Sequence, residues 1–304
     1  MDRTSLWPDL PLEAWSQTCD TLHLWTQIAG KVRIAATPLI NHWWNSTFLV
    51  TARGLAAPAM PYANGTFDII FDFAHHQLVI ETSDCRTESF PLVPMTVADF
   101  YAEFMERLRR LGVDIQIRTM PCEIEKPIPF DQDRTHAQYD PVHAQNFWRA
   151  LVQSARVMTA FRSRFIGKVS PVHFFWGSFD LAVTRFSGRT APPPKGHTPY
   201  VADRVMAEAY SHECASCGFW PGNGGFGYPA YYVYAYPEPA GYGGTQLRTK
   251  EAAYNTDLGQ FILPYDAVRK ANDPDALLLG FLQETYEAAA NLAKWDRQSL
   301  ERSE

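Results

Sequence analysis

Four histidines in this sequence lie close to a tryptophan, and this pattern is the one best suited to chemistry. The pairs are His23 with Trp25, His42 with Trp43 and Trp44, His173 with Trp176, and His212 with Trp220. Imidazole titrates near neutral pH, and ligand pockets are mostly apolar and aromatic with a few placed polar groups. The pattern therefore predicts an aromatic-lined site for a small molecule. The alternative for each single histidine is a buried ring that donates one hydrogen bond to a carbonyl.

General acid or base catalysis is the chemistry that such a site favours, because a carboxylate beside a histidine tunes its titration. We expect His173 and His212 to lie within one site, with Glu213 or Asp180 as the carboxylate partner. These four residues are the candidate catalytic residues. The candidate ligand-binding residues are His23, Trp25, His42, Trp44, Trp176, Arg185 and Tyr232.

Arg185 is embedded in the apolar strand pattern LAVTRF, which predicts a buried guanidinium. A buried cation needs an anion, because an unpaired buried charge costs several kcal/mol. The possible partners are Asp180, Glu208, Glu213 or an anionic group of a ligand, which the guanidinium fork binds well. On strand spacing, His173 and Arg185 share one face of the sheet unless Gly177 introduces a bulge.

The cysteines do not indicate a metal or redox site. Cys214 and Cys217 form a Cys-x-x-Cys pair, but no second cysteine pair completes the four ligands of a structural zinc. The pair also runs into glycine and proline, unlike a thioredoxin-type motif, which opens a helix. We expect buried, inert thiols and no metal. No GxSxG or GxxxxGK[ST] motif is present.

Composition limits the compartment and the partners. The net charge of −6 disfavours nucleic acid, which attracts basic surfaces. No apolar run approaches the length of a membrane span, and the first residues lack the apolar region of a signal peptide. The five cysteines are odd in number and scattered, which indicates reduced thiols. The sequence thus predicts a cytoplasmic protein with a small-molecule partner, and it indicates neither a cofactor nor an oligomeric state.

The element pattern predicts an α+β fold in which antiparallel strands pack against long amphipathic helices. Helices are expected at about 11–23, from Thr96 to Gly112, and after Asp140-Pro141 and Asp273-Pro274, where an aspartate cap precedes a proline. The predicted strands include KVRIAAT, STFLVTARG, TFDIIFDF, HQLVIETS, VHFFWGSFDLAVTRF and YYVYAY. We predict one domain made of two halves, about 1–126 and 134–304, joined by a proline-rich hinge at 127–133.

Four long segments resemble a bacterial protein family known only as a family of unknown function. They are TLHLWTQIAGKVRIAATPLINHWW, PVHFFWGSFDLAVTRFSGR, AYSHECASCGFWPG and FILPYDAVR, and they spread over nearly the full length. The resemblance implies one full-length domain and no established activity, so it assigns no catalytic role. It also implies that Cys217 belongs to the family pattern and Cys214 does not.

Two classes of function follow from these observations. The first is a small-molecule-binding protein or enzyme with a pocket of His, Trp and Arg that performs acid/base chemistry on an anionic or aromatic ligand. The alternative is a non-enzymatic interaction protein that uses exposed aromatic surface. An enclosed pocket holding His and Arg favours the first class, and a flat apolar patch favours the second.

Overall fold

A computed structural model of the chain describes residues 6–63, 65–194 and 200–302. The described helices are α1 Leu12–Ala36, α2 Val97–Arg110, α3 Pro141–Ser163, α4 Asp203–Ala209, α5 Tyr265–Lys270, α6 Pro274–Leu292 and α7 Arg297–Leu300. The strands are β1 Thr47–Val50, β2 Gly54–Tyr62, β3 Gly65–Asp72, β4 Gln77–Thr82, β5 Thr87–Pro91, β6 His173–Phe175, β7 Asp180–Thr190, β8 His212–Trp220, β9 Ala230–Tyr236, β10 Ala253–Asn255 and β11 Gln260–Pro264.

The described strands form one sheet in the order β10-β11-β9-β8-β7-β6-β1-β2-β3-β4-β5, and every neighbouring pair is antiparallel. This confirms the α+β fold predicted from the clustering of the strands. Strand β1 pairs with β2 on one side and with β6 on the other, so the sheet runs through both halves of the chain. The segment 127–133 packs against the start of α2, where the Asp133 carbonyl accepts a hydrogen bond from the Ala98 N–H (3.0 Å).

The two Asp-Pro signals each begin a long helix, as predicted. The Asp140 side chain accepts hydrogen bonds from the main-chain N–H groups of Val142 and His143, and Asp273 does the same for Ala276. These contacts satisfy donors that have no partner within the helix.

Helix α1 is longer than the sequence predicted, and the strand predicted at KVRIAAT was wrong. The helix continues from Leu12 to Ala36 and includes all but the last residue of that segment. Val32 and the preceding Ile28 and Ala29 are fully buried at helical spacing. Their tertiary packing overrides the strand preference of β-branched residues, which is only weak.

The sheet has two faces of different character in strands β7 and β8. The inner face packs against α3 and α6 and carries Val183 and Cys217 at paired positions within the main core. The outer face carries Thr184 and Ser216 at the next paired position, and it is polar and aromatic. The segment Asn41–Ser46 and helix α4 pack together over this outer face.

Candidate functional site

A group of polar and aromatic side chains meets on the outer face, and we call it the histidine cluster. Its members are His42, Trp44, Lys168, His173, Phe186 and His212. The centroid of the His42 ring lies 5.7 Å from that of His212 and 5.4 Å from that of Trp44. The Trp44 ring in turn lies 6.2 Å from His173. A chain of ring contacts thus links four histidine and tryptophan residues predicted from the sequence.

The sheet register positions the members that belong to strands. His173 opens β6 and pairs with Ala182 of β7, so both share the outer face with Phe186, four residues further along β7. His212 is the first residue of β8 and pairs with Thr190 of β7. The pairing of β7 with β8 is irregular between Phe186 and Thr190. Three adjacent antiparallel strands therefore present these side chains on one surface.

The segment Asn41–Ser46 supplies His42 and Trp44 in an uncommon backbone conformation. His42 (φ 57°, ψ 23°) and Trp43 (φ 60°, ψ 27°) both lie in the left-handed region. Each non-glycine residue held there costs about 1–3 kcal/mol, and such strain collects at functional sites. Two side-chain contacts support the segment: Ser46 Oγ donates to the Trp43 carbonyl (2.7 Å) and Thr47 Oγ1 to the Trp44 carbonyl (2.9 Å). The strained backbone points the His42 ring onto Phe186, 4.5 Å away.

His42 and Lys168 form the closest polar contact of the cluster. Lys168 Nζ lies 2.6 Å from His42 Nε2, while His42 Nδ1 lies 3.0 Å from the Ala209 carbonyl. This network assigns the proton to Nδ1, so Nε2 presents a lone pair to the ammonium group. Burial lowers the pKa of both groups, and the proximity of Lys168 and His212 further lowers that of His42. The His42 main-chain N–H donates to Glu208 Oε1 (3.1 Å).

His173 is a buried histidine whose Nε2 has no hydrogen-bond partner in the described part of the chain. The residue is 1% exposed, and its ring packs at 4.7 Å against Phe175. Loss of water, followed by the charges of Arg162 and Arg33, lowers its pKa to about 3. His173 is therefore neutral near pH 7. A buried polar atom without a partner costs about 1–3 kcal/mol, which a ligand group that hydrogen-bonds to it would recover.

A second polar group on the outer face contains two acids, and we call it the acid group: Asp180, Glu123, Ser178 and Tyr232. Ser178 Oγ and Tyr232 Oη both donate to the Asp180 carboxylate, which burial shifts to a raised pKa. A Cβ placed on Gly177 would lie 2.1 Å from Glu123 Oε1, so this carboxyl group packs over the turn before β7. Burial and then the charge of Asp180 raise the pKa of Glu123 to about 7. The residue as a whole is exposed even though its carboxyl group packs over the turn, so water screens part of this shift in pKa.

His23 holds the turn beside the acid group. Its Nε2 lies 2.7 Å from the Gly177 carbonyl and its Nδ1 lies 3.4 Å from Asn223 Nδ2, which assigns the proton to Nε2. Burial lowers its pKa to about 4. Both ring nitrogens thus have partners within the protein, which is the structural alternative considered for single histidines.

The remaining predicted residues lie away from the outer face. Trp25 stacks on Phe100 in the core (4.7 Å), and Trp176 packs against α1, where a Cβ on Gly30 would lie 2.3 Å from its indole. Glu213 accepts from Ser187 Oγ (2.9 Å) and pairs with Arg189 (2.6 Å). As the residue after His212 in β8, Glu213 points to the opposite side of the sheet.

Arg185 lies on the inner face, five residues after Asp180 in β7, and so does not share a face with His173. Its guanidinium is fully buried between rings, 3.5 Å from the Phe161 centroid and 4.2 Å from that of Tyr286. One nitrogen donates to the Phe161 carbonyl, while Nε and Nη1 have no partner among the described residues. Burial lowers its pKa to about 10. Aromatic rings therefore make the closest contacts, and the acid that acts on the guanidinium is Glu301, which accepts a hydrogen bond from Tyr286 (2.8 Å), rather than Asp180, Glu208 or Glu213.

The two cysteines of the Cys-x-x-Cys pair point to opposite faces. Cys214 pairs with Phe186 on the outer face and Cys217 with Val183 on the inner face. Burial raises the pKa of each thiol to about 12. Within residues 6–63, 65–194 and 200–302, no group of three or more His, Cys, Asp or Glu residues could hold a metal ion.

Two cavities in the described structure lie outside these groups. One of about 510 Å³ adjoins α2, and the Asp99 and Arg134 in its wall pair with each other near solvent. The other, of about 260 Å³, adjoins Glu213 and Trp295. Neither wall contains a described buried polar atom that lacks a partner. We therefore place the candidate site at the histidine cluster, where the buried Nε2 atom of His173 lacks a hydrogen-bond partner among the described residues.

The site residues predicted from the sequence did not include four members of these groups: Lys168, Phe186, Glu123 and Ser178. Lys168 lies five residues before His173, but a lysine at that spacing carries no distinguishing pattern. Glu123 is separated from Asp180 by more than fifty residues and has no local motif, and its left-handed backbone (φ 57°) is visible only in the fold.

None of the described helices has the length and apolar character needed to cross a membrane. Neither a curated protein nor a solved structure matches the chain. The model of a family of unknown function (DUF5996) matches residues 7–302, which is nearly the whole chain. The chain therefore belongs to the DUF5996 family.

Proposed function

We propose that the histidine cluster binds a small molecule that carries an anionic group and an aromatic ring, and that His42 exchanges protons there. The observation that carries the proposal is the 2.6 Å contact between Lys168 Nζ and His42 Nε2, which a strained backbone holds among aromatic rings. Two consecutive non-glycine residues in the left-handed region are uncommon, and such strain collects at functional sites.

The charge at the cluster supports an anionic ligand group. Lys168 brings an ammonium group within 4.8 Å of the Phe186 ring centroid and 5.8 Å of that of Trp44. These rings form apolar walls that exclude water and strengthen an ion pair. Lys168 takes the anchoring role that the sequence had given to Arg185.

Proton exchange is supported by the protonation state of His42. Its Nδ1 donates to the Ala209 carbonyl, so its Nε2 is free to accept a proton from Lys168 or from a ligand in its place. The His212 ring contacts the His42 ring edge to face, on the same outer face of the sheet.

The acid group extends the surface in the opposite direction. Asp180 and Phe186 are six residues apart on one strand face, which corresponds to roughly 20 Å. His173 lies between them, through its pairing with Ala182. A ligand longer than one ring would therefore meet a basic end at Lys168 and an acidic end at Asp180.

Thermal shift and calorimetric titration test the proposal with benzoate, phenyl phosphate and uncharged benzyl alcohol. We expect the two anions to raise the melting temperature, since a ligand at a hundredfold excess over its Kd stabilises by about 2.7 kcal/mol. Lys168→Met should abolish the effect. Lys250→Met is the matched control, because Lys250 is exposed and its Nζ donates to the Leu247 carbonyl (3.2 Å).

Equal shifts for wild type and Lys168→Met would refute the assignment. No binding by any of the three probes would favour the alternative, a non-enzymatic interaction protein. His42→Asn gives a second measurement, because asparagine tolerates the left-handed backbone that this position requires. It should weaken binding of both anions while leaving the fold intact.

A cytoplasmic location completes the proposal. All five cysteines are free, and three of them (Cys19, Cys214 and Cys217) are buried. Burial raises the pKa of these thiols, which keeps them unreactive. Fractionation of cells that express the tagged protein is the direct test.

A further inference from the structure

The amino group of Lys168 has a proton acceptor in direct contact, which is the arrangement needed to make a lysine nucleophilic. We propose that Lys168 forms an imine with an aldehyde or ketone, and that His42 is the base that takes its proton. The inference rests on the proposed function only in placing the ligand at the histidine cluster. It adds the chemical class of the substrate, a carbonyl compound, and a covalent step.

Geometry carries the first part of the argument. Lys168 Nζ lies 2.6 Å from His42 Nε2, and the other ring nitrogen of His42 is occupied by the Ala209 carbonyl. Removal of the proton from Lys168 therefore has one defined acceptor. Lys168 is half-buried rather than fully buried.

The charged and titratable groups around Lys168 come from several elements. His42 faces it from the segment Asn41–Ser46, Glu208 from α4 and, beyond His42, His212 from β8. Burial lowers the pKa of Lys168, and the carboxylate of Glu208 opposes this. The rings of Phe186 and Trp44 also favour the ammonium form. Burial and these attractive contacts therefore act on the pKa of Lys168 in opposite directions, and His42 Nε2 is the proton acceptor in contact with its amino group.

The reaction balances with these groups alone. The Lys168 ammonium gives a proton to His42 Nε2, and the free amine attacks the carbonyl carbon, forming the N–C bond. A proton then moves from this nitrogen to the former carbonyl oxygen, which leaves a neutral carbinolamine. The His42 imidazolium protonates the hydroxyl, the C–O bond breaks, and water departs. The products are a protonated imine on Lys168, neutral His42 and one water molecule.

Reductive trapping tests the inference. The intact protein is treated at pH 7 with 4-formylbenzoate or benzaldehyde and sodium cyanoborohydride, which converts the imine to a stable secondary amine. Peptide mass spectrometry then gives the labelling rate at each lysine, with exposed Lys250 as the internal reference. We expect Lys168 to be labelled about a hundredfold faster than Lys250, the lower end of what a positioned general base contributes.

His42→Asn should reduce the rate at Lys168 to that of Lys250 without changing the rate at Lys250. An unchanged rate at Lys168 in this variant, or equal rates for the two lysines in wild type, would overturn the inference. If the variant does not fold, the pH profile of the wild type decides. The labelling rate at Lys168 should already be near its maximum at pH 7, and a rate that rises with pH as steeply at Lys168 as at Lys250 would overturn the inference.

The two proposals at this site can fail separately. Benzoate binding without trapping at Lys168 would refute the imine and leave the proposed function standing. Trapping by benzaldehyde as fast as by 4-formylbenzoate, with no benzoate binding, would support the imine and refute the anion site.

Discussion

Replacement of Arg185 by methionine tests whether the buried charge on the inner face stabilises the fold. The guanidinium is fully buried, contacts the rings of Phe161 and Tyr286, and leaves Nε and Nη1 without partners in the described structure. Methionine has a similar length and no charge. The comparison therefore isolates the cost and benefit of the cation.

The two opposing effects can be sized. Burial lowers the pKa of Arg185 to about 10, which corresponds to roughly 3 kcal/mol against the buried charge. The contacts with Phe161 and Tyr286 return roughly 0.5–2 kcal/mol each. These effects nearly cancel, and the Phe161 carbonyl keeps a second donor, the Arg164 N–H (3.3 Å). We expect Arg185→Met to range from no change to a gain of about 2 kcal/mol in unfolding free energy.

Urea denaturation of wild type, Arg185→Met and Arg185→Ala measures these differences. Alanine leaves a cavity between the rings and should lose roughly 2–5 kcal/mol, as large-to-small core changes do. Arg185→Met should also keep the thermal shift given by benzoate, because Arg185 does not reach the outer face. A loss above roughly 3 kcal/mol for Arg185→Met, equal to that for alanine, would refute the reasoning by showing that the charge itself stabilises.

Three further predictions concern burial and titration. The fold resists protonation of His173, so the stability that the neutral ring contributes is lost as the pH falls from its ordinary pKa of 6.5 toward 3. His173→Phe should therefore be more stable than wild type by roughly 2 kcal/mol at pH 5, with no such gain at pH 8. If both proteins lost the same unfolding free energy between pH 8 and pH 5, the result would contradict this prediction. Because the pKa of Glu123 is raised, its protonated form stabilises the fold at a pH below the ordinary pKa of a glutamate. This contribution is lost as the pH rises through about 7. Glu123→Gln should therefore gain stability over wild type at pH 8 and not at pH 4, and a constant difference would argue against the shift. Gly30→Ala should lose about 1–3 kcal/mol, because its Cβ would overlap the Trp176 indole. The matched Gly280→Ala has no atom within 4 Å of the new Cβ and should gain about 1 kcal/mol of unfolding free energy. If both substitutions stabilised the protein, the Trp176 side chain would have moved aside to accept the new methyl group.

Local signals predicted much of the fold. The Asp140-Pro141 and Asp273-Pro274 steps each mark a helix start, because a capping aspartate and a proline without N–H suit that position. The alternation of Phe67, Ile69 and Phe71 predicted a strand with one buried face, and all three are 1% exposed. Such patterns depend on neighbours in sequence and so can be read without the fold.

The faces of β6 and β7 could not be predicted in the same way. The turn between them includes Phe179 in a left-handed conformation (φ 60°), and this turn sets which residues of β7 point outward. A change of one residue in phase exchanges the two faces, which is why His173 and Arg185 were expected together. Nothing in the local sequence signals the two consecutive left-handed residues His42 and Trp43.

The assembly of the site also depended on distant partners. Sequence reasoning selected His42, Trp44, His173 and His212 from their composition, and the fold places their rings in contact. It missed Lys168 because a single lysine among basic residues carries no distinguishing pattern. Its significance comes from the approach of a histidine more than one hundred positions away.

The short strands β1 and β6 form a waist in the middle of the sheet. They span Thr47–Val50 and His173–Phe175, and the register joins them at only two positions. The adjacent strands β2 (9 residues) and β7 (11 residues) are longer. Each strand of the waist positions one member of the histidine cluster: His173 lies on β6, and Trp44 lies just before β1. Trp44 and His173 thus come from different halves of the chain, and the pairing of β1 with β6 holds their rings in contact.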